Sequence, residues 1–413
     1  MDWSSLKTDL EAALDGFDGE TDWTGKIVDH QLLTVPDLSN CEKLGEVHAA
    51  FMTENAFACF DDENMHFAAN QGRRFPRDAV FAWLVRRSLG ADVSTAVDNL
   101  RNYIENSSIT AYQIVFVDGL YCESSDDEAG FSEDFRICHL MHAPVQILRS
   151  QAFRQGLLIE GNDYIVYKEI KIKRQITKAS EERGAQLLKP LPSLEPIEDR
   201  ISLLSLVAKR GFQIASSSII VGDDVPLSNT ASFVSAGHSR RAPVPMGPGV
   251  IALQTRHAED LLQKFSSLKT KTQNRLRVPL RKLNDYLSTN DQVQRMVDLR
   301  TCLEALFLAG FDEKNELTFR LALHASFYTE ITAQKRRDVF KAVRHCYRLG
   351  SKAVHEGTVE ITPEDNISVQ ITLNAVRSAL FKQINGDIVT VWSGCSGADW
   401  TIPVTLLWQR NAR

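Results

Sequence analysis

The sequence lacks the features that would place it in a membrane or send it out of the cell. It has no run of about 18 uncharged apolar residues, the length that a membrane-spanning helix needs. The first residues, Met1 to Lys7, show no basic start followed by an apolar run, so we expect no signal peptide. The sequence therefore predicts a cytoplasmic protein with no membrane partner.

Paired cysteines and nucleotide-binding loops are also missing. The seven cysteines are scattered without a repeated spacing, which is typical of reduced thiols. There is no glycine-rich phosphate loop and no Gly-x-Ser-x-Gly turn, so no cofactor is expected. Cys138, His139 and His142 offer three metal ligands, but a second ligand pair is absent. We expect no metal, with a zinc enzyme at these residues as the remaining alternative.

Charge is distributed unevenly along the chain. Residues 1–150 hold 11 Lys and Arg against 26 Asp and Glu, a net charge of −15. Residues 151–413 hold 36 against 27, a net charge of +9, and residues 251–350 alone carry +7. A local positive excess favours a phosphate-bearing partner, although solvated helix faces would give the same count.

The pattern of apolar residues predicts an α+β multidomain protein. Residues 1–240 are expected to form a mixed α/β region, with a sub-boundary near residue 190 as an option. The main boundary is placed at 237–249, where three prolines and three glycines rule out a helix or a strand ladder. Residues 250–386 are expected to form an all-α bundle, and residues 387–413 a strand-like tail.

Individual elements follow from the same periodicity. In the first region we expect helices at 76–89, 92–104 and 196–209, strands at 114–117 and 219–221, a hairpin at 157–174 turning at 161–163, and a loop at 123–134. In the second we expect helices at 252–268, 273–288, 291–309, 316–329, 334–354 and 363–385.

The stretch from Lys335 to Gly357 carries two stripes at helical spacing. One stripe is expected to pack into the bundle and consists of Phe340, Val343, Tyr347, Gly350 and Val354. The other is expected to face outward and consists of His345, Arg348, Lys352 and His355. Basic residues near a helix end are also favoured by its dipole, so the second stripe has a purely structural alternative.

Arg348 and His355 form the pair that points to chemistry. Seven residues apart, they lie about 10 Å apart on the same side of a regular helix. Arginine holds a phosphate oxygen with a fixed charge, and histidine moves a proton near neutral pH. Together they suit phosphodiester cleavage.

Three segments between residues 251 and 386 stand in a recognisable order. They read Leu-Glu-Ala-Leu-Phe at 303–307, Glu-Leu-Thr-Phe-Arg-Leu-Ala-Leu at 316–323, and Tyr-Arg-Leu-Gly-Ser-Lys-Ala-Val-His-Glu-Gly at 347–357. In this order and spacing they resemble the HEPN superfamily, and in particular its ApeA-like branch. The resemblance implies a C-terminal HEPN-like helical bundle, commonly dimeric, that cuts RNA without a metal through an arginine and a histidine.

The resemblance implies roles for individual residues. Arg348 and His355 match the catalytic pair at the six-residue spacing, and a homodimer would supply both the acid and the base. Supporting roles fall to Lys352, His345, Glu304, Arg320 and Tyr347, although Glu304 and Arg320 have an equally good interpretation as a structural pair. RNA-backbone contacts are expected from Arg344, Lys341, Arg337 and Arg336.

One position departs from the ApeA-like pattern. The residue before Ser351 is usually the arginine, and here it is Gly350. Either Arg348 takes that role, with a local bend at the glycine, or the phosphate anchor is lost and the bundle is a non-catalytic module that binds RNA or protein. The resemblance further implies a part in defence against phage by abortive infection, with a phage-derived trigger sensed by the acidic N-terminal region.

Overall fold

The structure of the protein is a computed structural model. It describes residues 2–15, 17, 23–28, 31–60, 64–68, 71–106, 108–120, 128–130, 135–139, 142–144, 164–173, 175–178, 193–222, 224–226, 231–234, 252–308 and 316–386. Three features expected from the sequence lie outside these ranges: the hairpin turn at 161–163, the linker at 237–249 and the strand-like tail at 387–413.

The chain folds into two compact units. Unit 1 comprises Met1–Leu194 and Ile214–Arg240, and unit 2 comprises Glu195–Gln213 and Arg241–Arg413. The helix near 196–209, which the sequence placed with the N-terminal region, therefore belongs to the C-terminal unit. The position of this helix in the chain does not reveal its unit, because the chain passes from unit 1 into unit 2 and back again within about twenty residues.

Among its described residues, unit 1 contains four α-helices and antiparallel sheet structure. The helices are α1 (Trp3–Leu14), α2 (Glu42–Thr53), α3 (Arg77–Gly90) and α4 (Val93–Glu105). The strands are β1 (Trp23–Val28), β2 (Gln31–Pro36), β3 (Asn64–Ala68), β4 (Gln71–Arg74), β5 (Ser108–Asp118), β6 (Glu128–Gly130), β7 (Arg136–His139), β8 (Tyr164–Lys173), β9 (Gln175–Lys178), β10 (Gln213–Val221) and β11 (Ala231–Val234).

The largest sheet has six described strands in the order β11-β10-β5-β8-β7-β6. β5 lies between β10 and β8 in this sheet, and its residues from Ala111 to Val117 are all buried. β1 and β2 form a separate hairpin, and β3 pairs with both β4 and β9.

The structure corrects two sequence predictions in unit 1. Residues 157–174 were expected to form a hairpin, but Tyr164–Lys173 pairs with β5 on one side and β7 on the other. The stretch 123–134 was expected to be a loop, but Glu128–Gly130 pairs with β7 as a short strand. The first error has a clear cause, because β8 pairs with β5, and strand partners that distant in sequence leave no local signal. The second has a local cause, because the acidic composition of 123–134 favoured a loop although β6 pairs with the nearby β7.

Unit 2 is helical. Its helices are α5 (Glu195–Ala208), α6 (Ala252–Ser267), α7 (Thr270–Ser288), α8 (Gln292–Phe307), α9 (Leu317–Thr329), α10 (Ala333–Glu356) and α11 (Pro363–Ile384). The six helices predicted beyond residue 251 are confirmed to within three residues at each end. Within the described ranges, no helix is both long enough and apolar enough to cross a membrane.

One apolar core joins the helices of unit 2. It includes Leu203 and Leu206 of α5 together with Leu280, Leu299 and Val376 of later helices. Charged pairs tie α5 to its neighbours as well: Asp199 accepts hydrogen bonds from Arg277 on α7, and Glu259 on α6 accepts one from Arg200. Among the described helices, α10 packs against α8, α9 and α11. We call its remaining side, which carries exposed residues, the free side.

Candidate functional site

The free side of α10 carries a row of basic side chains, which we call the basic line. It consists of Arg337, Lys341, Arg344, Arg348, Lys352 and His355, all of them exposed. Their spacing of four, three, four, four and three residues keeps them within a sector of about 80° at about 100° per residue. From first to last the line extends about 27 Å along the helix axis.

Helix α10 is built to hold this line. Thr332 caps the N-terminus by accepting a hydrogen bond from the backbone N–H of Lys335, and Gly357 ends the helix with a positive φ of 67°. The opposite face is buried through Val339, Val343, Cys346, Gly350 and Ala353, again at spacings of four and three. The line and the core face therefore diverge by about half a turn.

The buried face is shifted from the one predicted. Val354 was expected in the core, but it is 50% exposed, and Ala353 takes the buried position instead. Phe340 is only partly buried. The predicted stripe lies at the edge of the observed core face. Residues at spacings of three and four fit two neighbouring stripes of one helix almost equally well, so the spacing alone does not decide between them.

Arg348 and His355 both lie on the exposed side of α10. Both side chains are exposed, and neither has a hydrogen-bond or ion-pair partner among the residues that the structure describes. Lys352 lies between them and only approaches Glu356, at 3.9 Å with both side chains more than half exposed. A pair of this kind is worth little, so Lys352 also stays available to an anion.

His345 does not belong to the basic line. Its Nε2 lies 2.5 Å from Oδ1 of Asp365, and its side chain is only 36% exposed. Asp365 also accepts hydrogen bonds from the backbone N–H and the hydroxyl of Thr362, which closes a capping box on α11. The contact with His345 therefore fixes α10 against α11.

Asp365 is expected to contribute to stability in a pH-dependent way. Hydrogen bonds from the Thr362 backbone and from His345 hold the pKa of its carboxyl below the ordinary value. The stabilisation is therefore present above the unfolded-state pKa of about 4 and is lost as the pH falls through the lower folded value. Asp365→Ala should lower the free energy of unfolding by about 1 kcal/mol at pH 7. Urea unfolding should show that difference shrinking as the pH falls below about 4; a constant difference down to pH 2 would contradict the assignment.

Glu304 and Tyr347 form a cluster between α8 and α10. One oxygen of Glu304 accepts hydrogen bonds from the Tyr347 hydroxyl at 2.8 Å and from Nε of Arg300 at 2.9 Å. The Arg300 guanidinium also lies 5.0 Å from the centre of the Tyr347 ring. Burial, together with the Glu304 carboxylate, raises the pKa of Tyr347. Glu304 thus pairs with Arg300 and not with Arg320, the partner that the sequence indicated.

Gly350 lies at a close contact between α8 and α10. A Cβ atom at this position would be 2.7 Å from Cβ of Arg300 and 2.8 Å from the carbonyl oxygen of Met296. α10 continues through Gly350 as one uninterrupted helix. The glycine is required by packing, and an arginine side chain would have no room.

Two further residues predicted from the sequence, Arg336 and Arg320, lie away from the basic line. Arg336 donates from Nε to the carbonyl of Glu330 and stacks its guanidinium over the Phe327 ring at 4.5 Å, so it caps the end of α9. Arg320 is half-buried on α9. Burial of His324 lowers the pKa of that histidine, and the charge of Arg320, one turn earlier on the helix, lowers it further. Neither residue is part of the basic line.

The zinc alternative finds no support in the geometry. Cys138 is fully buried in the core of the six-stranded sheet, and His139 follows it on β7, so the two side chains point to opposite faces. In the part of the chain that the structure describes, no group of three or more His, Cys, Asp or Glu side chains could hold a metal ion.

Sequence reasoning missed Arg300 and the need for a glycine opposite it. Neither carries a local signal, since the contact joins residues about fifty positions apart. Comparison of the chain with protein-family models, with curated proteins and with solved structures finds no match. The interpretation of the basic line therefore depends on the sequence and on the geometry of α10.

Proposed function

We propose that unit 2 is a metal-independent endoribonuclease of the HEPN type. The observation that carries the proposal is the placement of Arg348 and His355. Both are exposed and unpaired among the described residues, and they lie two turns apart within one line of six basic side chains. The helical unit and the resemblance of its three segments to the ApeA-like branch support the same assignment.

The chemistry needs one proton acceptor, one proton donor and a stabilised phosphate. In the proposed reaction, a histidine takes the proton of the ribose 2′-hydroxyl, and the 2′-oxygen attacks the adjacent phosphorus. The bond from phosphorus to the 5′-oxygen breaks, and that oxygen receives a proton from a second acid. Arg348 balances the charge that builds up on the phosphate. The products are a 2′,3′-cyclic phosphate and a 5′-hydroxyl.

The proposed catalyst is a homodimer. The basic line of one chain carries a single histidine, His355, so one chain offers either the acid or the base. Two copies that present α10 to the same RNA strand supply both groups. Lys352, between Arg348 and His355, adds positive charge at the same phosphate.

Unit 1 is proposed to sense the signal that releases the nuclease. Its acidic first 150 residues, with a net charge of −15, complement the basic line electrostatically. The resemblance implies a phage-derived trigger and a role in abortive infection in the cytoplasm. Deletion of residues 1–240 would not test this, because it also removes α5 from the core of unit 2. Trigger candidates are therefore tested on the full chain.

A second candidate function is a non-catalytic module that binds RNA or protein. The observation in its favour is Gly350, which stands where the ApeA-like pattern has its arginine. The basic line alone accounts for binding to a phosphate backbone. Such binding would weaken steeply with salt. The steepness of this salt dependence should correspond to about one phosphate contact for each basic side chain that binds the backbone.

The two candidates are separated by cleavage of total cellular RNA in EDTA. We expect the full chain to cut RNA without added metal and to leave 2′,3′-cyclic phosphate ends, since neither proposed residue needs a metal. A 2′,3′-cyclic phosphate blocks a ligase that requires a free 3′-hydroxyl and, unlike a linear 3′-phosphate, still blocks it after phosphatase treatment. Salt-sensitive binding with no cleavage, in the presence of a lysate from infected cells as the source of trigger, would favour the binding module.

A further inference from the structure

An aromatic pair flanks the N-terminal half of the basic line. Phe319 on α9 and Phe340 on α10 meet edge to face, with ring centres 5.5 Å apart. Phe319 is 42% exposed, an unusual position for a phenylalanine, and Phe340 is only partly buried. The pair thus presents an apolar ring surface to solvent.

The pair and the basic line form one continuous surface. Phe340 lies three residues after Arg337 and four before Arg344, so it neighbours both side chains on the helix surface. It precedes Arg348 by eight residues, about 12 Å along the axis. Cations in a row with exposed rings beside them are the arrangement that binds a nucleic acid strand through both its phosphates and its bases.

We propose that this surface binds single-stranded RNA, with phosphates along the basic line and an unpaired base stacked on Phe319. The inference rests on the proposed function and adds the class of substrate. In a duplex the faces of the bases are covered by their neighbours in the stack, so an exposed ring has nothing to contact. A duplex backbone also winds away from a straight row of side chains, whereas a flexible strand can follow the row.

Binding by full-length His355→Ala in EDTA tests the proposal without cleavage. The probes are a fluorescent 12-nucleotide RNA without self-complementarity and the same RNA annealed to its complement, followed by anisotropy. We expect the single strand to bind at least about fivefold more tightly than the duplex, because stacking is worth about 5- to 150-fold per base. Phe319→Leu should remove most of that preference, and Phe319→Tyr should keep it.

Three controls define how the proposal fails. Ile367→Ala changes another apolar side chain, 65% exposed on α11, and should leave both affinities unchanged. The salt dependence of Phe319→Leu should equal that of its parent, because no phosphate contact is lost. Equal affinity for strand and duplex, or a Phe319→Leu variant that binds the strand like its parent, would overturn the inference. Failure of the proposed function shows separately, as strand-selective binding by a wild-type protein that does not cleave.

Discussion

His355→Ala is expected to lower RNA cleavage by about 10²- to 10⁴-fold, the contribution of a positioned group that transfers a proton. His355 is exposed, next to the last residue of α10, and has no partner among the described residues, so its removal leaves the fold intact. The loss should appear in the rate of bond breaking, and RNA affinity should change by no more than a few fold. Single-turnover cleavage in EDTA separates the two quantities.

His257→Ala is the matched control for this prediction. His257 is also an exposed histidine on a helix of unit 2, where it stacks on Phe381 at 5.7 Å. Cleavage by His257→Ala should equal that of the wild type. Cleavage by His355→Ala at the wild-type rate, with the product ends unchanged, would remove His355 from the mechanism and end the assignment of α10 as the catalytic helix.

Gly350→Arg is expected to unfold or strongly destabilise unit 2. The Cβ atom of any larger residue would lie 2.8 Å from the backbone carbonyl of Met296, and backbone cannot move aside as a flexible side chain can. Even Gly350→Ala should cost about 1–3 kcal/mol of the free energy of unfolding, the usual penalty for overpacking. Arginine adds a long side chain directed at α8, so the loss should be larger still.

The substitution also tests the meaning of the glycine. Arginine is the residue that the ApeA-like pattern has before Ser351, so a decayed active site should gain cleavage from Gly350→Arg. The structure predicts the opposite, a loss of helical signal in urea at lower concentration and no gain of activity. Gly45→Ala is the control, because this helical glycine has its nearest neighbour 4.0 Å away and tolerates a Cβ. A Gly350→Arg variant as stable as the wild type would overturn the packing explanation.

Both predictions concern residues of α10. The sequence predicted this helix, but it did not predict which side chains of neighbouring helices contact it. The spacing of apolar and basic residues predicted α10 as well as the exposure of Arg348, Lys352 and His355. It grouped His345 with them, because His345 stands three residues before Arg348. Only the position of Asp365 on the neighbouring α11 shows that His345 is held at a helix contact.

The sequence by itself determined the helices of unit 2 and the row of cations along α10. These follow from local periodicity and capping, which act over a few residues. The tertiary structure alone decided the rest: which unit holds α5, why Gly350 is a glycine, and which basic residues remain free. These depend on contacts between segments far apart in the chain, such as Arg300 with Tyr347 or Gly350 with Met296. A side chain is available for chemistry only when no neighbouring helix has already engaged it.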